Sequence, residues 1–423
     1  MSRLTPLVAL VLLLCPVTHA AASGLPTARA EDVGLSGPRL ERIGRALQAD
    51  VERERIAGAV VMVARKGRLA YVGAFGSRDR AAGARMTPDA IFRLASMTKP
   101  IVSVAAMSLV DEGRLLLSEP VGRYLPALGA LQVSPDGGEG APGSPLPGGV
   151  PPRRPMTIQD LLRHTSGLTY GNRGKSPVHQ LYPQSSNIAS QQLTGDEFID
   201  RLSRVMLLSH PGTRWEYGLS TDVLGRVLEV VSGQPLADLL AERIFRPLGM
   251  PDTGFVVPAD KRSRIAQALP RHPDTGAEVI QPDPTVRRKF DCGGGCAVST
   301  AGDYLRFAQM LLERGSLDGA RVLAPRTVDF MVSDHLGAAV ARGNAFGAGP
   351  GYTWGLGFAV RESAGISAGN GSPGDYYWPG AFGTSFWVDP KEQLVVVYMM
   401  QAGAGMGGRY RELLRNLVLQ ALE

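Results

Sequence analysis

The chain has 423 residues, 44% of them hydrophobic, with mean hydropathy near zero and a net charge of +6. That composition supports a large soluble core and excludes a disordered or many-spanning membrane protein. The positive excess is scattered, without a basic run interleaved with aromatics, so it argues against nucleic-acid binding.

The first residues read as a targeting segment. Arg3 is followed by an apolar run from Leu4 to Val17, too short to span a bilayer, and Thr18 to Ala22 offer small residues for cleavage. A signal peptide over residues 1–22 is expected, with a periplasmic or secreted mature chain and no stable membrane insertion after its removal. Bulky Leu14 before Cys15 argues against lipidation. Leu40, Ile43, Leu47 and Val51 predict an amphipathic helix over 37–53. Residues 59–63 and 69–75 flank Arg65-Lys66-Gly67 as a strand–turn–strand. From about 115 to 275 the pattern is mostly helical with long polar loops, and 134–155 is too rich in Gly and Pro for a regular element. Strands are predicted at 354–360, 384–388 and 394–400, with a turn at 389–392, and a closing helix over 411–422. Strands at both ends predict one mixed sheet built from both ends of the chain. A helical lobe of about 116–279 is then inserted between sheet-lobe segments of about 30–115 and 280–423.

Cys292 and Cys296 alone remain after processing. They can pair across three glycines, hold a metal poorly, or stay as free thiols.

Three segments carry chemistry. Ser96-Met97-Thr98-Lys99 puts a hydroxyl and an amine on one face of a helix whose first turn Pro100 tolerates. A serine needs an adjacent base, and a desolvated lysine can serve as one. The same four residues alone also fit a solvated helix face. Next, Trp215-Glu216-Tyr217-Gly218-Leu219 precedes an apolar helix. Tyr217 there can aim its phenol into a cleft, where an ammonium such as Lys99 would lower its pKa; it can equally be a buried core tyrosine. Finally, Trp378-Pro379-Gly380-Ala381 lets backbone approach a ligand, so the amides of Ser96 and Ala381 could stabilise an oxyanion. Pro379 lacks an N–H and places this stretch at a sheet edge.

In this order the segments resemble the serine β-lactamase and penicillin-binding superfamily. Within it the chain is similar to the class C β-lactamase-like esterases called family VIII carboxylesterases. Residues 91–99, 161–168, Tyr217 with Asp222-Val223-Leu224-Gly225, 293–295 with 298–300 and Asp303-Tyr304, and 382–390 fit as well. The resemblance implies an α+β (or α/β) two-lobed fold, an antiparallel sheet flanked by helices plus an inserted, mostly helical lobe. It also implies Ser96 as nucleophile and Lys99 with Tyr217 as the base system. Two departures bear on substrate. Leu219 stands where class C lactamases carry Asn, and Trp378-Pro379-Gly380 stands where they carry Lys-Thr-Gly. Both changes remove polar groups that would hold a β-lactam, and the indole favours apolar acyl or alcohol groups. Pro379 also departs from the Trp-Gly-Gly usual in the esterases.

The expected activity is hydrolysis of carboxylic esters through an acyl-enzyme, with a small-molecule ester as partner and no metal or organic cofactor. β-Lactam or peptidoglycan-peptide hydrolysis is the second reading, and a non-catalytic cell-envelope binding protein the third. Gly365-Ile366-Ser367-Ala368-Gly369 matches a nucleophile elbow, but no His follows it. Gly403 to Gly408 matches G-x-G-x-x-G, but too little chain follows for a nucleotide fold. His164 reads as structural.

Overall fold

A computed structural model describes residues 24–343 and 346–423; the targeting segment expected at 1–22 lies outside them. Helix α1, Gly37–Glu52, starts with Pro38 in its first turn and buries Leu40, Ile43 and Leu47. Strands β1 (Gly58–Arg65) and β2 (Arg68–Asp79) form a hairpin. Its two turn residues, Lys66 (φ 52°) and Gly67 (φ 73°), both take the left-handed conformation that matches strand twist in a two-residue turn.

The main sheet is completed by β3 (Ala84–Arg85), β4 (Tyr352–Trp354), β5 (Ala359–Arg361), β6 (Tyr376–Tyr377), β7 (Ser385–Asp389) and β8 (Leu394–Met400). The strand order is β4-β5-β6-β7-β8-β1-β2-β3. Every pairing within it is antiparallel, so the sheet is not mixed in direction. Its centre joins the two ends of the sequence: Ala59 pairs with Met400 and Arg65 with Leu394. Both central strands, β1 and β8, are buried along their whole length, so helices must cover both faces. Helix α2 (Thr98–Asp111) is buried nearly all round. It packs against α3 (Ser220–Ser232). Helix α4 (Ala301–Leu312) packs on β8, β7 and β1, and α5 (Gly407–Leu419) packs on α1.

Three expectations change. The strand predicted at 354–360 is two strands, because Gly357 (φ 97°) reverses the chain and the Gly355 amide donates to the Phe358 carbonyl at 2.8 Å. Pro379 is not at a sheet edge: β6 lies between β5 and β7 and ends at Tyr377, so the proline falls beyond the ladder where no N–H is needed. Between 116 and 279 the helices are short apart from α3, and Gln132–Val133 pairs in parallel with Met206–Leu207.

Candidate active site

Ser96 sits on a single tight turn, Ala95–Met97, that leads into α2 at Thr98, two residues after the start near Ser96 that Pro100 suggests. Ala95 holds φ at 48°, a strained value for a residue with a Cβ. Local bonds enforce it. The Thr98 hydroxyl donates to the Ala95 carbonyl at 2.7 Å and accepts the Ala297 amide at 3.1 Å. The Tyr304 hydroxyl donates to the Met97 carbonyl at 2.9 Å. Phe92–Arg93 pairs with Val298–Ser299 just upstream. The Thr384 hydroxyl donates to the Leu94 carbonyl at 3.0 Å. The strain at Ala95 turns the Ser96 side chain outward while its neighbours stay buried.

Lys99 is 1% exposed. Its Nζ reaches the Ser96 Oγ at 3.4 Å, the Tyr170 phenol oxygen at 3.0 Å and the Gly294 carbonyl at 2.6 Å. The ammonium also lies 4.5 Å above the Tyr217 ring centre. Burial alone would drive the Lys99 pKa down. The groups facing it, Tyr170, Tyr217 and Asp222, outweigh burial and hold it above its ordinary value. Burial pushes the Tyr170 phenol up to about 12, against the pull of Lys99. Lys99 and Tyr170 therefore titrate as a pair rather than as independent groups.

Tyr217 is half-buried on the same cavity, but its phenol oxygen accepts the Trp378 indole N–H at 3.0 Å. The phenol bonded to Lys99 belongs to Tyr170, which the sequence motifs stop two residues short of. Tyr217 is walled by Trp215, Trp378 and His164. His164 is buried, and burial with the nearby Lys99 charge pushes its pKa well down. Its ring packs on Trp215, Tyr217 and Trp354, a structural placement.

A cavity of about 600 Å³ opens over Ser96, with Tyr170, Tyr217, Gly294, Gly295 and Ala381 in its walls. Ala381 is brought there by Gly380, whose Cα packs against the Leu94 carbonyl so closely that a Cβ would collide with it. Segment 171–195 lines the cavity through Arg173, Asn187 and Ile188, and the unforeseen loop 280–283 adds Ile280. Four residues expected at the substrate stand behind the wall, among the described residues that do not line it. Leu219 is the N-cap of α3 and fully buried in the core. Trp378 is 5% exposed, with its N–H committed to Tyr217. Pro379 and Gly380 support the turn that carries Ala381. Cys292 and Cys296 form a disulfide, and the loop they close presents the Gly294 carbonyl to Lys99. Ser367 and the Gly403–Gly408 loop lie apart from the cavity lining.

The Beta-lactamase family model matches residues 43–420. Protein Rv1367c of Mycobacterium tuberculosis is 38% identical over 82% of this chain and 86% of its own length. Esterase EstB of Burkholderia gladioli is 34% identical over 94% of this chain and 99% of its own. Among solved structures, EstCE1, described as a hydrolase with promiscuous acyltransferase activity, superimposes with a TM-score of 0.74 at 30% identity. That match covers 90% of this chain and 98% of that one.

Proposed function

The chain belongs to the Beta-lactamase family and is a serine hydrolase; we propose that it cleaves carboxylic esters through an acyl-enzyme on Ser96. The observation that carries this reading is the set of three partners around the Lys99 nitrogen. A carbonyl, that of Gly294, can only accept from it. As an ammonium Lys99 donates to all three; once it has given up a proton, the amine keeps its N–H groups on Gly294 and Tyr170 and has its lone pair left for Ser96.

Ser96 Oγ attacks the ester carbonyl while its proton passes to the cluster of Lys99, Tyr170 and Tyr217. The amides of Ser96 and Ala381 hold the oxyanion. The proton returns through Tyr217 to the departing alcohol oxygen as the C–O bond breaks, leaving the acyl group on Ser96. Water, or a second alcohol, then repeats the sequence and frees the serine. Ile188, Ile280 and Phe382 on the cavity wall favour apolar acyl groups. The names of EstB and EstCE1 support ester chemistry. Residues 30–423 would form the hydrolase domain. Its partner would be a small-molecule ester, with no nucleic acid, and the leader at 1–22 would direct it to the periplasm or medium.

Ser96→Ala is expected to abolish p-nitrophenyl butyrate turnover and labelling by a fluorophosphonate probe in a folded protein. Retained turnover would refute the assignment of the nucleophile. Faster turnover of nitrocefin than of the butyrate ester would reassign the chain to β-lactam hydrolysis.

A further inference from the structure

Behind Lys99 lies a buried carboxylate that the ester mechanism leaves unused. Asp222, in the first turn of α3, is 1% exposed. Each of its oxygens leads back to a different partner of the lysine. On one side, the Ser186 hydroxyl donates to Asp222 Oδ2 at 2.7 Å and lies 3.0 Å from the Tyr170 phenol, itself 3.0 Å from Lys99 Nζ. On the other, the Gly294 amide donates to Asp222 Oδ1 at 2.8 Å while the same residue's carbonyl accepts a hydrogen bond from Lys99 Nζ at 2.6 Å.

The direction of the first arm is fixed by donor counting. A carboxylate only accepts, so the single Ser186 proton points to Asp222. Ser186 must then accept from Tyr170, whose oxygen is left to accept from Lys99. All donors run one way, from lysine to carboxylate. Gly294 is held to glycine by the same packing, since a Cβ there would collide with Asp222 Oδ2 and Ser186 Oγ.

We propose that Asp222, acting through Ser186 and Gly294, is the positioning residue and counter-charge of the Lys99 base, a third member oriented behind a Ser–Lys pair. When Ser96 gives up its proton, the positive charge created at Lys99 is buried, and a carboxylate two hydrogen bonds away offsets it. Burial raises the Asp222 pKa above its ordinary value, and Lys99, Ser186 and the Gly294 amide pull against that rise. The titratable groups facing this assembly are Lys99, Tyr170 and Tyr217, with His164 and Arg173 against the Tyr217 ring.

The proposal rests on the ester-hydrolase reading, and its test separates the two. Wild type, Asp222→Asn, Ser186→Ala and Ser186→Thr are compared on p-nitrophenyl butyrate across pH, with folding checked by circular dichroism. Ser186→Ala is expected to lower kcat about tenfold with KM little changed, and Ser186→Thr to restore most of it, because a hydrogen bond in a charged chain is lost and regained. Asp222→Asn is expected to lower kcat roughly a hundredfold. It should also shift the rising limb of kcat/KM to lower pH, because Lys99 loses the charge that raises its proton affinity. A purely structural Asp222 would change the amplitude and leave the limb in place, and that result overturns the proposal. So does a Ser186→Ala enzyme with wild-type kcat, which decides the matter if Asp222→Asn does not fold. A wild type that turns over no ester while still labelling at Ser96 refutes the ester reading alone.

Discussion

Gly380→Ala tests how the oxyanion site is built. A methyl at this position would stand well inside 3.0 Å of both the Leu94 carbonyl oxygen and the Thr384 hydroxyl, and 3.2 Å from the Leu94 carbonyl carbon. Leu94 cannot yield: its amide is bonded to Ala297 at 2.9 Å, and it immediately precedes the strained Ala95. Thr384 cannot rotate away without giving up its bond to Leu94. The turn that carries Ala381 must therefore move, against the bonds of Gly380 N to the Thr384 carbonyl at 2.8 Å, Gly383 N to the Gly380 carbonyl at 3.1 Å and Ala402 N to the Phe382 carbonyl at 2.9 Å. Relief needs a shift on the order of 1 Å, and a misplacement of that size costs about a hundredfold in rate. The strain should also lower stability by about 1–3 kcal/mol. Steady-state kinetics on p-nitrophenyl butyrate should show the loss mainly in kcat, with calorimetry reporting a modest drop in Tm. A Gly380→Ala enzyme with wild-type kcat would mean that the Ala381 amide does not contact the reacting carbonyl.

Trp378→Phe removes the donor to the Tyr217 oxygen and should lower kcat about fivefold, the value of one neutral hydrogen bond, with KM little altered; an unchanged kcat would dissociate Tyr217 from proton transfer. Cys292→Ser opens the short loop that presents Gly294, so it should cost about 2 kcal/mol by loop entropy and reduce kcat. Thermal melts and turnover with and without reductant check both effects. Burial pushes the Asp303 carboxyl up to about 6 from an ordinary 3.8. The folded state therefore binds the extra proton between these values. Asp303 contributes stability below about pH 4 that fades as pH rises through about 6, by about 3 kcal/mol in total. Asp303→Asn should flatten that part of a Tm-against-pH curve, and an unaltered slope would refute the assignment.

Local chemistry made much of the fold legible. The period of Leu40, Ile43 and Leu47 and the Lys66-Gly67 turn act within a few residues, and both appear where the pattern places them. Ser96 and Lys99 share a face because three residues make nearly one helical turn. Tyr170 was illegible because its link to Lys99 spans distant segments, and a tyrosine in an irregular loop has no periodicity to announce it. Asp222 belongs to a stretch that carries the family resemblance, but sequence alone gives it no role; only packing shows that both of its oxygens lead back to the lysine. Leu219 failed as a substrate contact because an apolar side chain at a helix N-cap turns into the core. The apolar run at 354–360 hid two glycines that break it.

The pairing of Ala59 with Met400 has a consequence for biogenesis. One half of the central ladder leaves the ribosome, or a translocation channel, more than 300 residues ahead of its partner. Such non-local topology slows folding and leaves a long apolar strand edge exposed meanwhile. A transcript cut short before Leu394 should thus yield aggregates or degraded chain rather than a weaker enzyme.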